Sequence, residues 1–127
     1  TNQKPSPKEI EDIKIGLPIA RKLADMEIGQ TLIVNNKTVV AVEAFEGTDN
    51  AITRGCELAG DNCVVIKVSR TDQDYRYDSP GIGPQTIQTL IAGGASVLAL
   101  EAERVMAVEQ EKLIEMADGA KLTITCV

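Results

Sequence analysis

The sequence predicts an α/β fold: a mixed, mainly parallel sheet with helices on its faces, plus an N-terminal helix and a β-hairpin. Three observations carry this expectation. Strand-type and helix-type segments alternate through the second half of the chain, which is the pattern of a parallel sheet with crossover helices. The run 63–69 is apolar except for Lys67, as a central strand covered on both faces would be. The apolar residues are Ile, Val, Leu and Ala, with aromatics only 2% of 127 residues, so the core is built from aliphatic side chains.

Each element has its own signal. Residues 1–5 are polar with a proline and read as a linker or as the cut end of a longer protein, ahead of one compact domain from about residue 7. Ser6-Pro7-Lys8-Glu9 starts a helix, with Ser6 as N-cap, Pro7 in the first turn and Glu9 closing a capping box. Ile10, Ile13, Leu17, Ala20 and Leu23 continue it at helical spacing, Pro18 should kink it, and Gly29-Gln30 marks the exit. Two β-type runs, 31–35 and 38–44, flank an Asn-Asn-Lys turn and form the hairpin. Thr48 or Asp49 caps a helix that runs to about Ala59 and stops at Gly60. Pro84 opens the next helix, which ends at Gly93-Gly94. Strands follow at 97–100 and 104–108, then a helix at 111–117 and a last strand at 122–126.

Composition excludes several functions. A net charge of −6 without a Lys/Arg stripe argues against a nucleic-acid partner. No apolar run is long enough to span a bilayer. Cys56, Cys63 and Cys126 are odd in number and widely spaced, which suits free structural thiols in a reducing cytoplasm. Cys56 and Cys63 are not a Cys-x-x-Cys pair, which weakens a redox reading. The chain has no histidine, so any hydrolysis must use carboxylates, hydroxyls, lysine, cysteine or a cation held by oxygen.

The chemistry concentrates in KVSRTDQDYRYDSPGIG, from Lys67 to Gly83. In an extended chain, Asp72, Asp74, Arg76 and Asp78 share one face, with carboxylates two residues apart separated by roughly 6–7 Å. Such a pair suits a hard cation. The plain alternative is a solvated loop whose aspartates pair with Arg70 and Arg76 for ~0–1 kcal/mol each. Tyr75 and Tyr77 fall on the opposite face, where packing inward is the better assignment than contact with a sugar or acyl group.

A second segment should meet the first. In open α/β sheets the functional crevice lies beyond the carboxyl ends of the strands. Glu43-Ala44-Phe45-Glu46-Gly47-Thr48-Asp49 leaves one strand end and Lys67 through Asp78 leaves another. If both strands lie in one sheet and run the same way, Glu46, Thr48 and Asp49 face Asp74 and Asp78. Of the two glutamates, Glu46 is assigned because it sits nearer the loop. Mg²⁺ takes one or two carboxylates with waters and phosphate oxygens. Lys67, Arg70 and Arg76 would oppose phosphate charge. Gly81-Ile82-Gly83-Pro84 adds glycines that admit close backbone approach and a helix N-terminus that attracts anions.

Three stretches, QTLIVNNKTVVAVEAFEGTDNAI, VVIKVSRTDQDYRYDSPGIGPQTIQTL and ASVLALEAERVMAVEQEKLI, together resemble the C-terminal domain of the UDP-diacylglucosamine pyrophosphatase family (LpxI) of lipid A biosynthesis. The combination of EGTD with Lys67, Gln73-Asp74, Arg76, Asp78, Pro80, Gly83 and Thr86 carries the likeness, which covers nearly the whole chain from about Pro7. The resemblance implies a metal-dependent hydrolase, cytoplasmic and peripherally membrane-associated. It would use Mg²⁺ or Mn²⁺ and water to attack the α-phosphorus of UDP-diacylglucosamine, releasing UMP and diacylglucosamine 1-phosphate. It places the essential aspartate at Asp74, with Asp78 second, both as metal ligands. Substrate contacts fall to Glu46, Thr48, Asp49, Lys67, Arg76, Gly83 and Thr86. The family's N-terminal domain is expected to be missing from this chain, and the isolated domain need not turn over substrate. A homodimer is compatible with strand edges that lack charged gatekeepers. The rival expectation is a non-catalytic α/β nucleotide-binding or oligomerisation module, distinguished by its indifference to divalent metal.

Overall fold

The computed structural model describes residues 3–68, 81–101, 106–107 and 110–127, and no side chain is described at 81, 106, 107 or 110. A five-stranded sheet is built from β1 (Thr31–Asn35), β2 (Thr38–Val42), β3 (Val64–Lys67), β5 (Val97–Leu100) and β7 (Thr123–Cys126), in the order β2-β1-β3-β5-β7. β1 is antiparallel to both neighbours, while β3, β5 and β7 are mutually parallel. Four of the five strands therefore run one way, and the carboxyl ends of β2 and β3 lie on the same edge, with the start of β1 between them. This is the mixed, mainly parallel α/β sheet that the sequence predicts.

Helices cover both faces. Among the described residues α1 (Pro7–Asp25) covers one face, where Ile13, Ala20 and Ala24 pack with Leu32, Val34, Val64, Ile66, Val97 and Ala99. α2 (Thr48–Ala59), α3 (Pro84–Gly93) and α4 (Gln110–Gly119) belong to the other, whose core holds Ile33, Val65, Leu98, Ile52, Ile87, Leu90 and Leu113. The alternation along β3 explains why both sets are apolar: Val64 and Ile66 serve one cluster, Val65 the other.

Local signals operate as read at several places. Ser6 accepts from the Glu9 N–H and the Glu9 carboxylate accepts from the Ser6 N–H, a complete capping box. Asn36 and Lys37 both take positive φ (51° and 61°), the signature of a two-residue hairpin turn that matches strand twist. Buried Asp12 on α1 accepts from the Lys37 N–H at 2.7 Å, so the helix ties down the turn. α1 runs through Pro18 without interruption; Pro18 is exposed, where water can satisfy the carbonyl its ring leaves unpaired.

Two expectations need correction. α2 is not capped by Thr48 or Asp49: its N-cap is Gly47, at φ 89° and ψ 165°, a backbone setting that costs a side chain energy. Thr48 is the first helical residue and its hydroxyl is committed elsewhere. α1 ends at Asp25, before Gly29-Gln30, because Glu27 takes φ 62° and lets Ile28 N–H reach the Leu23 carbonyl. Ahead of α3, β4 (Gly81–Ile82) pairs in parallel with β6 (Met106–Ala107).

Gly55 sets the closeness of α2 to the sheet. A Cβ there would lie 2.7 Å from Ile33 Cγ1 and 2.9 Å from Ile33 Cβ, and the latter cannot rotate away. Gly55→Ala gains about 1 kcal/mol of helix propensity. Overpacking of a fully buried neighbour costs about 1–3 kcal/mol and should win. The measurement is a urea midpoint shifted downward at unchanged m-value.

Candidate functional site

At the carboxyl edge of the sheet, strand register puts Lys67 opposite Thr31, and both side chains point to the α2 face, in phase with Val65 and Ile33. Lys67 is 7% exposed, so its ammonium must find polar partners. Its Nζ donates to Thr48 Oγ1 at 2.7 Å. Thr31 Oγ1 also donates to that hydroxyl, at 3.4 Å, and Thr48 in turn donates to Glu43 Oε1 at 3.3 Å. The Gln30 N–H donates to the same carboxylate oxygen. Four segments thus converge on one hydroxyl: the ends of β2 and β3, the start of β1 and the first turn of α2.

The first turn of α3 joins them. Thr86 Oγ1 donates to Asp49 Oδ1 at 2.9 Å, bringing the N-termini of α2 and α3 side by side. Both N-caps, Gly47 and Gly83, are glycine and offer no side-chain acceptor to the amides of the first turn. Gly83 is extended (φ −133°), so its backbone does not demand glycine, and no described atom lies within 4 Å of where a Cβ would sit. Two glycine-capped helix starts beside a buried ammonium form an environment that favours an anion such as phosphate.

The structure therefore brings Thr48 to Lys67, and Asp49 to Thr86 beside Gly83. Glu46 faces another way. Its carboxylate takes two hydrogen bonds from Arg54, at 3.0 and 2.6 Å, and Arg54 also donates to the Val42 carbonyl. The glutamate that reaches Thr48 is Glu43. Strand alternation contains that signal, because Glu43 is two residues beyond the inward-facing Ala41. Asp74, Asp78 and Arg76, with Asp72, Arg70, Tyr75 and Tyr77, lie outside the described residues, on the segment joining Val68 to Gly81.

The Arg54 hydrogen bonds hold the Glu46 carboxyl below the usual carboxylate range, and Glu46 holds the Arg54 guanidinium above its own. A depressed carboxylate pKa contributes stability that is present above the unfolded value and lost as pH falls through the folded one. Glu46→Gln should thus differ from the parent in unfolding midpoint at neutral pH, and the difference should vanish in acid. A gap that persists unchanged to the acid limit would contradict the ion pair. Since the pair is exposed, the gap should also shrink with salt.

On the opposite sheet face of the same edge, Arg21 Nε donates to Glu101 Oε2 at 2.8 Å, and Glu101 is buried. This pair fastens α1 to the end of β5. Among the described residues, no three His, Cys, Asp or Glu side chains are gathered to hold a metal ion.

Comparison with known proteins bears on what this edge does. The chain matches the family model described as the LpxI C-terminal domain over residues 1–125. It is 33% identical over 131 aligned positions to the UDP-2,3-diacylglucosamine pyrophosphatase LpxI of Caulobacter vibrioides. That alignment takes in 94% of this chain and 46% of the relative, so the chain spans about half the length of the curated protein it matches. Among solved structures, RibD of Acinetobacter baumannii (form 2) shares the chain path with a TM-score of 0.51 over 95% of this chain and 36% of that one. At 8% identity this likeness concerns the fold alone. The chain belongs to the LpxI C-terminal domain family.

Proposed function

We propose that this chain supplies the phosphate-gripping half of a metal-dependent hydrolase acting on UDP-2,3-diacylglucosamine, yielding UMP and diacylglucosamine 1-phosphate for lipid A synthesis. The observation that carries the reading is the buried Lys67 ammonium at the strand edge, hydrogen-bonded to Thr48 beside the N-termini of α2 and α3. A diphosphate needs positive charge and N–H donors that are already oriented when it arrives. Lys67, the first-turn amides next to Gly47 and Gly83, and Arg76 would provide them. Asp49, which accepts from Thr86, would orient a water, and Glu43, which accepts from the Thr48 hydroxyl, would keep that hydroxyl turned to receive Lys67.

Asp74 and Asp78 would hold Mg²⁺ or Mn²⁺, as oxygen donors suited to a hard cation. When bound, such an ion polarises a phosphoryl oxygen and makes a bound water more acidic. The rest of the enzyme, including an N-terminal domain that closes over substrate, would come from the length of the relatives that this chain does not span. No helix among the described residues is long and apolar enough to cross a membrane. Part of the same proposal, from the diacylated nature of the substrate, is that the enzyme meets it peripherally, at the cytoplasmic face. β2 and β7, the two outer strands, are the edges where a second copy would add.

The test is hydrolysis by a protein of the relatives' full length that carries this chain, run in ¹⁸O-water. Attack at the α-phosphorus puts the label on UMP. Label on the sugar phosphate would overturn the assigned point of attack. Nucleotide binding without any UMP release, indifferent to metal, would establish the binding module instead.

A further inference from the structure

Cys56 and Cys63 are seven residues apart in sequence, yet their sulfurs are 3.2 Å apart and both side chains are buried. Cys56 lies in the last turn of α2. The chain then reverses through Gly60 and Asn62, at φ 79° and 69°, and enters β3 at Cys63. Backbone hydrogen bonds pin the reversal: Gly60 N–H to the Cys56 carbonyl, Asn62 N–H to Gly94, and Ser96 N–H to the Cys63 carbonyl. α3 holds Cys56 from the other side, since a Cβ at Gly93 would lie 2.8 Å from its Sγ. Two thiols are thus pressed together by three elements, and neither is used by the reading of the strand edge given above.

Cys56 lines a groove of about 620 Å³ between α2 and α3, with Thr53, Glu57, Asp61, Gln85 and Thr89 among its other walls. Cys63 sits behind it with no exposed surface. Glu57 and Asp61 make the groove acidic, which disfavours anionic oxidants such as glutathione disulfide and admits a small neutral one. Hydrogen bonding between the two sulfurs holds the Cys56 thiol below the usual range, while that bond and burial push Cys63 up. Because Cys56 lines the groove and Cys63 is closed off behind it, Cys56 is the attacking sulfur and Cys63 the resolving one.

We infer that Cys56 and Cys63 form a peroxide-sensitive dithiol site that closes to a disulfide between α2 and β3. The Cys56 thiolate attacks one peroxide oxygen; the O–O bond breaks, Cys56 becomes a sulfenic acid, and the departing hydroxide leaves as water. The Cys63 sulfur then attacks Cys56 sulfur and the S–O bond breaks. The leaving hydroxide takes the Cys63 proton as a second water. Two thiols lose two electrons to one peroxide, and the S–S bond of about 2.05 Å requires the sulfurs to close by roughly 1.2 Å.

The experiment uses the 127-residue chain with Cys126→Ser, which removes the exposed thiol. Hydrogen peroxide is added in steps, the protein is unfolded and alkylated, and peptides are mapped without reductant. The expected result is two thiols lost per peroxide consumed, a linked Cys56–Cys63 peptide, reversal by dithiothreitol, and at least tenfold slower closure with glutathione disulfide. Thiols that stay fully alkylatable, or Cys56 driven to sulfinic acid without a linked peptide, overturn the inference. Cys63→Ser, which keeps a hydrogen-bonding group beside Cys56 but cannot close the disulfide, provides an independent reading, because Cys56 sulfenic acid should then accumulate and react with dimedone. Failure to trap it would contradict the assigned attacking sulfur.

Discussion

Asp74→Ala, made in a protein of the relatives' full length, is expected to remove hydrolysis of UDP-2,3-diacylglucosamine, a loss on the order of 10³-fold or more, or at least ~4 kcal/mol of transition-state stabilisation. The size follows from the role given to the cation. In the proposed mechanism a cation handles the reacting water and the phosphoryl oxygens, and a hard cation takes carboxylate ligands. On the α2 face of the edge the described residues contribute Glu43 and Asp49, each already engaged by a threonine. The proposal assigns the cation to the Asp-rich segment 69–80. Thermal unfolding should be unchanged, and excess Mn²⁺ should not restore turnover. Wild-type turnover by the variant would remove Asp74 from the chemistry.

Lys67→Met should lower kcat/KM by about 10²–10³-fold, or ~3–4 kcal/mol, with most of the loss in kcat if the ammonium meets charge that grows on the departing phosphate. Methionine keeps an unbranched stem in the same buried slot, so the substitution removes charge more than volume. Stability should move by less than about 1.5 kcal/mol, since an ammonium at 7% exposure gives up its own desolvation cost. Lys67→Arg should not rescue activity, because a planar guanidinium does not fit a slot shaped for a point charge aimed at Thr48. Turnover within twofold of the parent would show that Lys67 is a structural cation.

What was legible in the residues was whatever depends on short-range pattern. The capping box at Ser6, the hairpin turn at Asn36-Lys37 and the buried run of β3 all follow from spacing and turn chemistry. The shared direction of β2 and β3, only a condition in the sequence, comes instead from β1 pairing antiparallel with both. Tertiary competition for a side chain was not legible. Thr48 has the right composition for an N-cap, but Lys67 and Thr31 claim its hydroxyl, so Gly47 takes the cap. Glu46 sits nearer the acidic loop in sequence, but Arg54, eight residues on, captures it. The Cys56–Cys63 contact depends on the reversal at Gly60 and Asn62 and on the space left by Gly93, none of which a Cys-x-x-Cys template contains. The pairing of β4 with β6 joins two-residue strands 25 residues apart, too short for any periodicity to register.

The most direct test of the phosphate-gripping edge is amide NMR of the ¹⁵N-labelled chain titrated with UMP and Mg²⁺. The largest shifts should fall on Thr48, Asp49, Lys67, Val68, Gly83 and Thr86, and they should diminish when Mg²⁺ is chelated. Shifts centred instead on Gln85, Gln88 and Thr89 of the α2–α3 groove, or spread evenly over the surface, would contradict the account.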